Sequence, residues 1–204
     1  MIELHNIDCL KYLKTLEDKA FDLAIVDPPY GIDVQKQSKF GNKKDMKEWD
    51  SKPPRKEYFK QLFRVSKNQI IWGGNYFLDN LSNTRCFLIW DKQNGSNDMA
   101  DAEIAWSSFK TSVRMYRGHI FKGIGCTKYK SIHPTQKPVK LYEWLLMNYA
   151  KEGDKILDTH LGSGSIAIAC HNLGFDLVGC ELDEDYYNAA CKRLKQHQAQ
   201  LTIF

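Results

Sequence analysis

The chain has 204 residues, of which 43% are hydrophobic and 26% are charged, and its formal net charge is +4. This composition supports the core of one α/β domain, and no apolar run is long enough to span a bilayer. The start of the chain has no signal-peptide pattern, and the six cysteines form no CxxC pair. We therefore expect a cytoplasmic protein with reduced thiols, no disulfide framework and no metal site.

The positive charge is concentrated in two segments. Residues 35–67 hold 11 Lys or Arg against four Asp or Glu, and residues 104–142 hold eight Lys or Arg and no acidic residue. A solvated surface usually mixes both signs, so this segregation favours a polyanionic partner such as a nucleic acid. Chance surface charge is the alternative, since charge runs alone are weak evidence.

The first part of the chain predicts a strand at residues 2–5, a helix at residues 8–16 and a strand at residues 21–26. The last of these is an apolar run, typical of a strand buried on both faces in a parallel sheet. Asp27-Pro28-Pro29-Tyr30 follows directly, at the strand's carboxyl end, where open α/β sheets bind ligands. It offers a carboxylate, a rigid turn and an aromatic ring, a set that can hold a planar base by its exocyclic amine.

The middle of the chain alternates polar segments with short apolar runs. Residues 31–56 are polar and contain glycines and prolines, which predicts a long mobile loop, and residues 91–132 are predicted to be largely irregular. The regular elements predicted here are a helix at residues 56–65, strands at residues 69–72 and 86–90, and short strand-like pieces near residues 104–106 and 119–121.

The last third of the chain alternates helices and strands. Pro138 at the start and Gly153 just after the end bound its first helix. The predicted elements are a helix at residues 138–150, a strand at 155–158, a helix at 166–173, a strand at 176–181 and a helix at 184–198. Together with the earlier strands, they predict an α/β fold with a doubly wound, parallel, Rossmann-like sheet.

A glycine-bearing loop, Asp158-Thr159-His160-Leu161-Gly162-Ser163-Gly164-Ser165, joins a predicted strand to a predicted helix. Glycines let the backbone approach a ligand, and the helix start favours an anion such as a carboxylate. Glu181, at the end of the next strand, suits the hydroxyls of a ribose. Ala167 replaces the third glycine of a dinucleotide site, so we predict a phosphate-free nucleoside cofactor such as S-adenosylmethionine. A simple glycine turn, with Glu181 as a helix-start acid, is the alternative.

Three motifs occur in a telling order: Asp27-Pro28-Pro29-Tyr30, then His133-Pro134-Thr135-Gln136-Lys137-Pro138, then Leu157-Asp158 with Gly162-Ser163-Gly164. This order resembles the beta group of DNA amino-methyltransferases, in which the catalytic motif precedes the cofactor motif. Ile71-Trp72-Gly73-Gly74-Asn75-Tyr76 and Ile89-Trp90-Asp91-Lys92 extend the resemblance. The chain departs from it at Asp158-Thr159-His160, where the family usually has Asp-Pro-Phe, and at Ser165, where it often has threonine.

The resemblance implies one circularly permuted, S-adenosylmethionine-dependent methyltransferase domain over residues 1–204. In it, residues 31–56 are a mobile loop facing DNA, and residues 107–132 are a short target-recognition insertion. The implied cofactor contacts are Asp158, Gly162, Ser163 and Gly164 at the methionine part, Thr135 and Lys137 near its amino-acid end, Glu181 at the ribose and Asp8 at the adenine. For Asp8, the alternative is a helix-start acid that favours the dipole.

The resemblance also implies a catalytic turn. Asp27 and the carbonyl of Pro28 would accept the two amino hydrogens of the target base, Pro29 would help fix the turn, and Tyr30 would stack on the flipped base. The partner would be double-stranded DNA, with a homodimer and a cognate restriction endonuclease as compatible partners. The candidate DNA-contacting cations are Lys36, Lys39, Lys43, Lys44, Arg114, Arg117, Lys122, Lys128 and Lys130.

The predicted activity is methyl transfer to the N6 amine of adenine, because DPPY more often accompanies adenine in this family and SPPY more often accompanies cytosine N4. Cytosine-N4 methylation is the closest alternative. Methylation of RNA or of protein glutamine, which a related fold with NPPY performs, is a second, and a cofactor-free DNA-binding protein with a decayed site is a third.

Overall fold

The strands lie where the apolar runs of the sequence predicted them, with one addition. The computed structural model describes residues 1–32, 52–94, 100–118, 132 and 135–201. Its strands are β1 (Ile2–Asn6), β2 (Phe21–Val26), β3 (Ser66–Trp72), β4 (Leu88–Asp91), β5 (Ala102–Ser107), β6 (Arg114–Arg117), β7 (Lys155–Asp158) and β8 (Asp176–Glu181). The predicted strand-like piece near residues 119–121 lies outside the described residues.

The helices also follow the predicted pattern. They are α1 (Cys9–Thr15), α2 (Lys56–Val65), α3 (Val139–Tyr149), α4 (Ser165–Leu173) and α5 (Glu184–Leu201), with short 3-10 helices at Gly74–Tyr76 and Leu78–Asn80. Pro138 caps the start of α3, where its fixed φ of −66° and missing N–H cost nothing. Gly174 ends α4 with a φ of 76°, in the left-handed region that glycine adopts most readily.

The strands form a single sheet in the order β1-β8-β7-β2-β3-β5-β4-β6. The first five are parallel to one another. The amino-terminal strand β1 pairs with β8, the last strand of the chain, so the circular permutation that the motif order predicted is present in the fold. The prediction of a parallel sheet fails at β5, which runs antiparallel to both β3 and β4.

Strand β6 was not predicted because its sequence, Arg114-Met115-Tyr116-Arg117, carries a charge at each end. Among the described strands it pairs with β4 alone, and it is the last strand on that side of the sheet. Three of its four side chains are exposed. An edge strand needs little apolar burial, so hydrophobic patterning gives no signal for it.

Two apolar layers cover the sheet, and β2 contributes to both. Leu23 and Ile25 pack on the side of α3 and α4, whereas Ala24 and Val26 pack on the side of α1 and α2. All four side chains are buried. This confirms the prediction that the strand is buried on both faces. Packing on both faces fixes β2 in the sheet, and with it the point at which the chain leaves the strand.

The parallel strands all end at one edge of the sheet. Asp158 ends β7 and Glu181 ends β8, while Asp27 and Gly73 follow directly after β2 and β3. Ligand sites of open α/β sheets lie at this edge. In the described part of the chain, no helix is long and apolar enough to cross a membrane.

Candidate active site

The carboxylate of Asp27 is held from both sides. The Tyr30 hydroxyl donates to Oδ1 over 2.7 Å, and the Lys137 ammonium donates to Oδ2 over 2.5 Å. Burial raises the pKa of Asp27, and Lys137 and Tyr30 oppose that rise. Burial and the charge of Asp27 keep the pKa of Tyr30 well above its ordinary value, so the phenol remains a proton donor. The carboxylate therefore has one fixed orientation, with lone pairs left to accept further hydrogen bonds.

A row of alternating charges continues from Asp27 into the protein. Lys137 also pairs with Oε2 of Glu103 at 2.9 Å, and Oε1 of Glu103 pairs with Lys92 at 2.7 Å. Burial alone would lower the pKa of Lys137, but Asp27 and Glu103 outweigh it and raise that pKa. Likewise, the two lysines lower the pKa of Glu103 against the effect of burial. The row Asp27–Lys137–Glu103–Lys92 contains two cations and two anions and is electrically balanced.

Aromatic rings and a glycine set the position of Tyr30. Its ring stacks on Tyr76 with centroids 4.9 Å apart and planes 16° apart, and it meets the edge of Phe77 at 6.0 Å. Gly73 has a φ of +67°, and a Cβ at that position would lie 2.2 Å from Cε1 of Tyr30. Glycine at position 73 therefore allows the ring to approach the backbone after β3. Tyr76 is 48% exposed, so its ring also faces solvent beside the catalytic turn.

Asp158 is a buried carboxylate that forms no ion pair with a cation in the described part of the chain. Among the described residues, the one hydrogen bond that it accepts comes from the backbone amide of His160, at 3.0 Å. Burial, opposed by that amide and helped by the charges of Asp27 and Glu181, raises the pKa of Asp158 to about 8. A buried carboxylate with a raised pKa and no paired cation favours a cationic ligand. Such a ligand would supply the positive charge that stabilises the ionised carboxylate.

The glycine loop is shaped around Glu181. Gly162 and Gly164 both have positive φ values, 51° and 70°. The Gly162 amide donates to Oε2 of Glu181 at 2.8 Å, and the Asp183 amide donates to Oε1 at 2.9 Å. Burial raises the pKa of Glu181, and these amides oppose the rise. Glu181 therefore holds the loop while its remaining lone pairs stay available to a ligand.

The far side of the loop is fixed by Arg193 of α5. One of its Nη atoms donates to the carbonyl of Ser163 at 2.8 Å and to the Ser165 hydroxyl at 2.9 Å. The Ser163 hydroxyl lies 3.1 Å from that of Ser165, so the side chain of Ser163 points into this internal network. A cofactor contact predicted for Ser163 would therefore come from its backbone.

Thr159 and His160, which both depart from the family pattern, join a buried polar cluster. The Thr159 hydroxyl lies 2.7 Å from the hydroxyl of Tyr58 and 2.9 Å from Nδ1 of His160, whose Nε2 faces Cys9 Sγ at 3.8 Å. Burial lowers the pKa of His160 to about 4, so its imidazole is neutral. The Thr159-His160 pair thus stands as a hydrogen-bonded pair where the family usually has an apolar one.

The remaining predicted residues are less well placed for chemistry. Asp8 caps α1, where its Oδ1 accepts the amide of Lys11 at 2.9 Å, which is the alternative that the sequence left open; the geometry does not test its predicted contact with adenine. Thr135 is partly buried, two residues before Lys137. Arg114 and Arg117 lie on edge strand β6, and Nε of Arg117 is 3.6 Å from Asp91. The other predicted DNA contacts, Lys36, Lys39, Lys43, Lys44, Lys122, Lys128 and Lys130, lie outside the described residues.

Three residues that complete the site had no assigned role in the sequence. Lys92 stands in the Ile89–Lys92 motif, and Tyr76 ends the Ile71–Tyr76 motif, so a motif signal existed for both. Glu103 has no such signal, apart from preceding a long segment without acids. Within the described ranges, no cluster of three or more His, Cys, Asp or Glu residues could hold a metal ion, and the five cysteines described are free.

Together these groups make one site with two functions. At the end of β2, an oriented carboxylate accepts hydrogen bonds beside aromatic rings. At the ends of β7 and β8, a glycine loop and two carboxylates suit a cationic, hydroxyl-bearing ligand. Strands β2 and β7 are adjacent in the sheet, so the two halves face each other across one strand spacing.

Comparison with known proteins identifies the family to which the chain is similar. A family model described as DNA methylase, of the N6 and N4 type, matches residues 89–192, which is just over half of the chain. The Type II methyltransferase M2.DpnII of Streptococcus pneumoniae is 25% identical over 96% of this chain and 90% of its own length. The Type II methyltransferase M.HpaI of Haemophilus parainfluenzae is 24% identical over 92% of this chain and 72% of its own length.

Solved structures share the fold. The M1.HpyAVI–SAM complex superimposes with a TM-score of 0.61 at 23% identity, covering 95% of this chain and all of that chain. The cytosine-N4-specific PvuII DNA methyltransferase gives a TM-score of 0.64 at 11% identity, covering 98% of this chain and 92% of that one. At these identities the likeness concerns architecture, and it agrees with the Rossmann-like methyltransferase fold predicted from the sequence.

Proposed function

Because the chain belongs to the N6/N4 DNA methylase family, whose methyl donor is S-adenosylmethionine, we propose that it methylates the N6 amine of adenine in DNA. Membership of this family confirms the resemblance predicted from the motif order. The observation that carries the proposal of methyl transfer to an exocyclic amine is the oriented carboxylate of Asp27, placed beside Tyr30 and across from the glycine loop. The DPPY sequence favours adenine over cytosine within the family.

The residues of the glycine loop fit the donor. Asp158, a buried carboxylate with no cation paired to it among the described residues, would hold the positively charged amino group of S-adenosylmethionine. The backbone of Gly162, Ser163 and Gly164 would line the same part, because the two glycines carry no Cβ and adopt the positive φ values that turn the loop. Glu181 would accept the ribose hydroxyls, and Asp8, beyond β1, would lie toward the adenine. S-adenosylmethionine supplies an electrophilic methyl group on a sulfonium.

For Lys137 we propose a role other than the predicted contact with the donor. The residue is 3% exposed, and its ammonium is already shared between Asp27 and Glu103. We propose that it orients Asp27 and that Thr135, two residues earlier, remains the candidate of this motif for the amino-acid end of the donor.

The chemical problem is that an exocyclic amine delocalises its lone pair into the base. Asp27 would accept one amino hydrogen and the carbonyl of Pro28 the other, which favours a pyramidal nitrogen whose lone pair faces the methyl group. A nitrogen–carbon bond forms as the carbon–sulfur bond breaks, and the positive charge moves from sulfur to nitrogen. The Asp27 carboxylate stabilises that charge, and the extra proton leaves the nitrogen afterwards to solvent.

The target base must leave the duplex to reach Asp27. The Tyr30–Tyr76 pair offers a rigid aromatic surface at the site, and base stacking on such a surface is worth roughly 1–3 kcal/mol. This offsets part of the unstacking cost. Tyr30 is held by its hydrogen bond to Asp27, so a stacked base would be aligned with the carboxylate that receives its amine.

Double-stranded DNA is the proposed substrate, and the cytoplasm is the compartment that this substrate implies. Arg114 and Arg117 on β6 are the described cations that we propose as phosphate contacts. The mobile loop at residues 31–56, the recognition region at residues 107–132, a homodimer and a cognate endonuclease remain predictions from the sequence.

Nucleoside mass spectrometry tests the target amine. Duplex DNA is incubated with the chain and methyl-labelled S-adenosylmethionine, then digested, and the Asp27→Ala variant serves as the inactive control. We expect labelled N6-methyladenine and no labelled N4-methylcytosine. Label in N4-methylcytosine would show that the target base is cytosine and not adenine. Label transferred to RNA or protein and absent from DNA would overturn the proposed substrate.

A further inference from the structure

We propose that Glu103 is a positioning residue for methyl transfer, acting on Asp27 through Lys137, with Lys92 fixing Glu103 from the other side. Nothing in the known chemistry of the site requires this residue, which lies on β5, far from the catalytic turn in sequence. The inference rests on the proposed function, since it concerns how Asp27 is prepared to accept the amine.

The contacts form an unbranched path. Asp27 Oδ2 lies 2.5 Å from Nζ of Lys137, the same Nζ lies 2.9 Å from Oε2 of Glu103, and Oε1 of Glu103 lies 2.7 Å from Nζ of Lys92. Glu103 uses one oxygen for each lysine. It can therefore set the distance between Lys137 and Asp27 without touching a substrate.

The surroundings make these contacts strong. Lys137 and Lys92 are 3% and 6% exposed, so water does not screen them. Their ammonium groups also face the rings of Trp72 and Trp90, at 5.2 and 5.4 Å from the centroids. A cation buried this deeply needs carboxylate partners, and Lys137 has two. Its charge is thereby divided between Asp27 and Glu103.

The sharing of the Lys137 charge between Asp27 and Glu103 affects the reaction. If Glu103 were neutral, Lys137 would bind Asp27 alone and compete more strongly with the amine for the same carboxylate. The site would also carry one more net positive charge beside a sulfonium and a nitrogen that becomes positive. Both effects slow the chemical step, and neither removes a contact that the glycine loop makes with the donor.

The test is a Glu103→Gln variant, compared with Glu152→Gln, which removes an exposed carboxylate at the opposite end of the domain. Single-turnover methylation of duplex DNA, calorimetric binding of S-adenosylmethionine and thermal unfolding are measured for each. We expect Glu103→Gln to slow methyl transfer by about 10- to 100-fold, the range for residues that orient functional groups. Donor affinity should stay within about twofold of the unsubstituted chain. A methylation rate equal to that of Glu152→Gln would overturn the proposal.

A double-mutant cycle tests whether Glu103 acts through Lys137. In a Lys137→Met background, Glu103→Gln should slow methylation by less than about twofold, because the lysine that Glu103 positions has been removed. A full 10- to 100-fold cost in that background would show that Glu103 acts elsewhere and would overturn the proposal.

A shorter carboxylate provides a second variant if Glu103→Gln does not fold. Asp in place of Glu103 keeps the charge but cannot reach both lysines, so Glu103→Asp should be slower than the unsubstituted chain with unchanged donor affinity. An unaltered rate would contradict the proposed geometry. These outcomes are separate from failure of the proposed function itself, which would appear as no DNA methylation by the unsubstituted chain.

Discussion

Asp27, which is partly buried, and Asp158, which is fully buried, are two carboxylates at the ends of adjacent strands, yet their surroundings differ. Asp27 accepts from an ammonium and a phenol. Asp158 accepts from a single backbone amide in the described structure, and burial raises its pKa to about 8. The charge of Asp27 is balanced by the protein, whereas that of Asp158 is left for a ligand to balance. This difference supports a chemical role for Asp27 and a ligand-binding role for Asp158.

The largest expected effect is on the chemistry at Asp27. Asp27→Ala removes the acceptor for the amine and should slow single-turnover methylation by about 10³-fold or more, because this interaction strengthens in the transition state. Donor affinity measured by calorimetry should change little, since Asp27 is not its partner. Glu17→Gln, an exposed carboxylate after α1, is the control and should behave as the unsubstituted chain. Equal losses of methylation rate and donor affinity would break the comparison.

Substitution of Asp158 should give the reverse pattern. Asp158→Asn keeps the shape but removes the charge that would pair with the donor, so affinity for S-adenosylmethionine should fall about 100-fold at pH 8. The methylation rate at saturating donor should fall less than the affinity does. A variant with normal donor affinity and a lost methylation rate would assign Asp158 to the chemistry.

The raised pKa of Asp158 predicts the pH dependence of binding. The free site holds a proton up to about pH 8, and a cationic ligand binds the ionised form, so binding must release that proton at lower pH. Donor affinity should therefore rise by up to about tenfold per pH unit between pH 6 and 8 and level off above. Asp158→Asn should abolish most of this slope. A donor affinity that is flat over this range in the unsubstituted chain would contradict the assignment.

A smaller effect is expected from Gly73. A Cβ in Gly73→Ala would lie 2.2 Å from the ring of Tyr30 and displace its hydroxyl from Asp27. We expect methylation to slow by about five- to tenfold, with donor affinity unchanged. Gly153→Ala is a matched control because Gly153 also has a positive φ, +83°, but has nothing within 4 Å of the added atom. Equal effects of the two variants on methylation would reduce the role of Gly73 to backbone strain.

The sequence predicted the Asp158 half of the site better than the Asp27 half. The glycine loop, Glu181 and the helix that follows lie within one continuous segment, so local pattern was enough to place them. The turn after β2 was also predictable, because an apolar run ends directly at Asp27. The group that holds Asp27, however, is Lys137, which is 110 positions away and was assigned to the donor.

The missed features share one physical cause, which is pairing between distant segments. Glu103 reaches Lys137 because β5 lies antiparallel between β3 and β4, and nothing in the local sequence fixes that direction. The stack of Tyr30 on Tyr76 likewise depends on β3 lying beside β2. Periodicity predicts which strands exist, but the order and direction of strands come from packing across the whole sheet.

The most direct test is a structure of the chain bound to duplex DNA and to a non-reactive analogue of S-adenosylmethionine. The account predicts that the exocyclic amine of a flipped base lies about 3 Å from both the Asp27 carboxylate and the Pro28 carbonyl. The amino group on the amino-acid part of the analogue should contact the Asp158 carboxylate. A base amine bound at Asp158, or a donor bound against Asp27 with the base held elsewhere, would contradict the account.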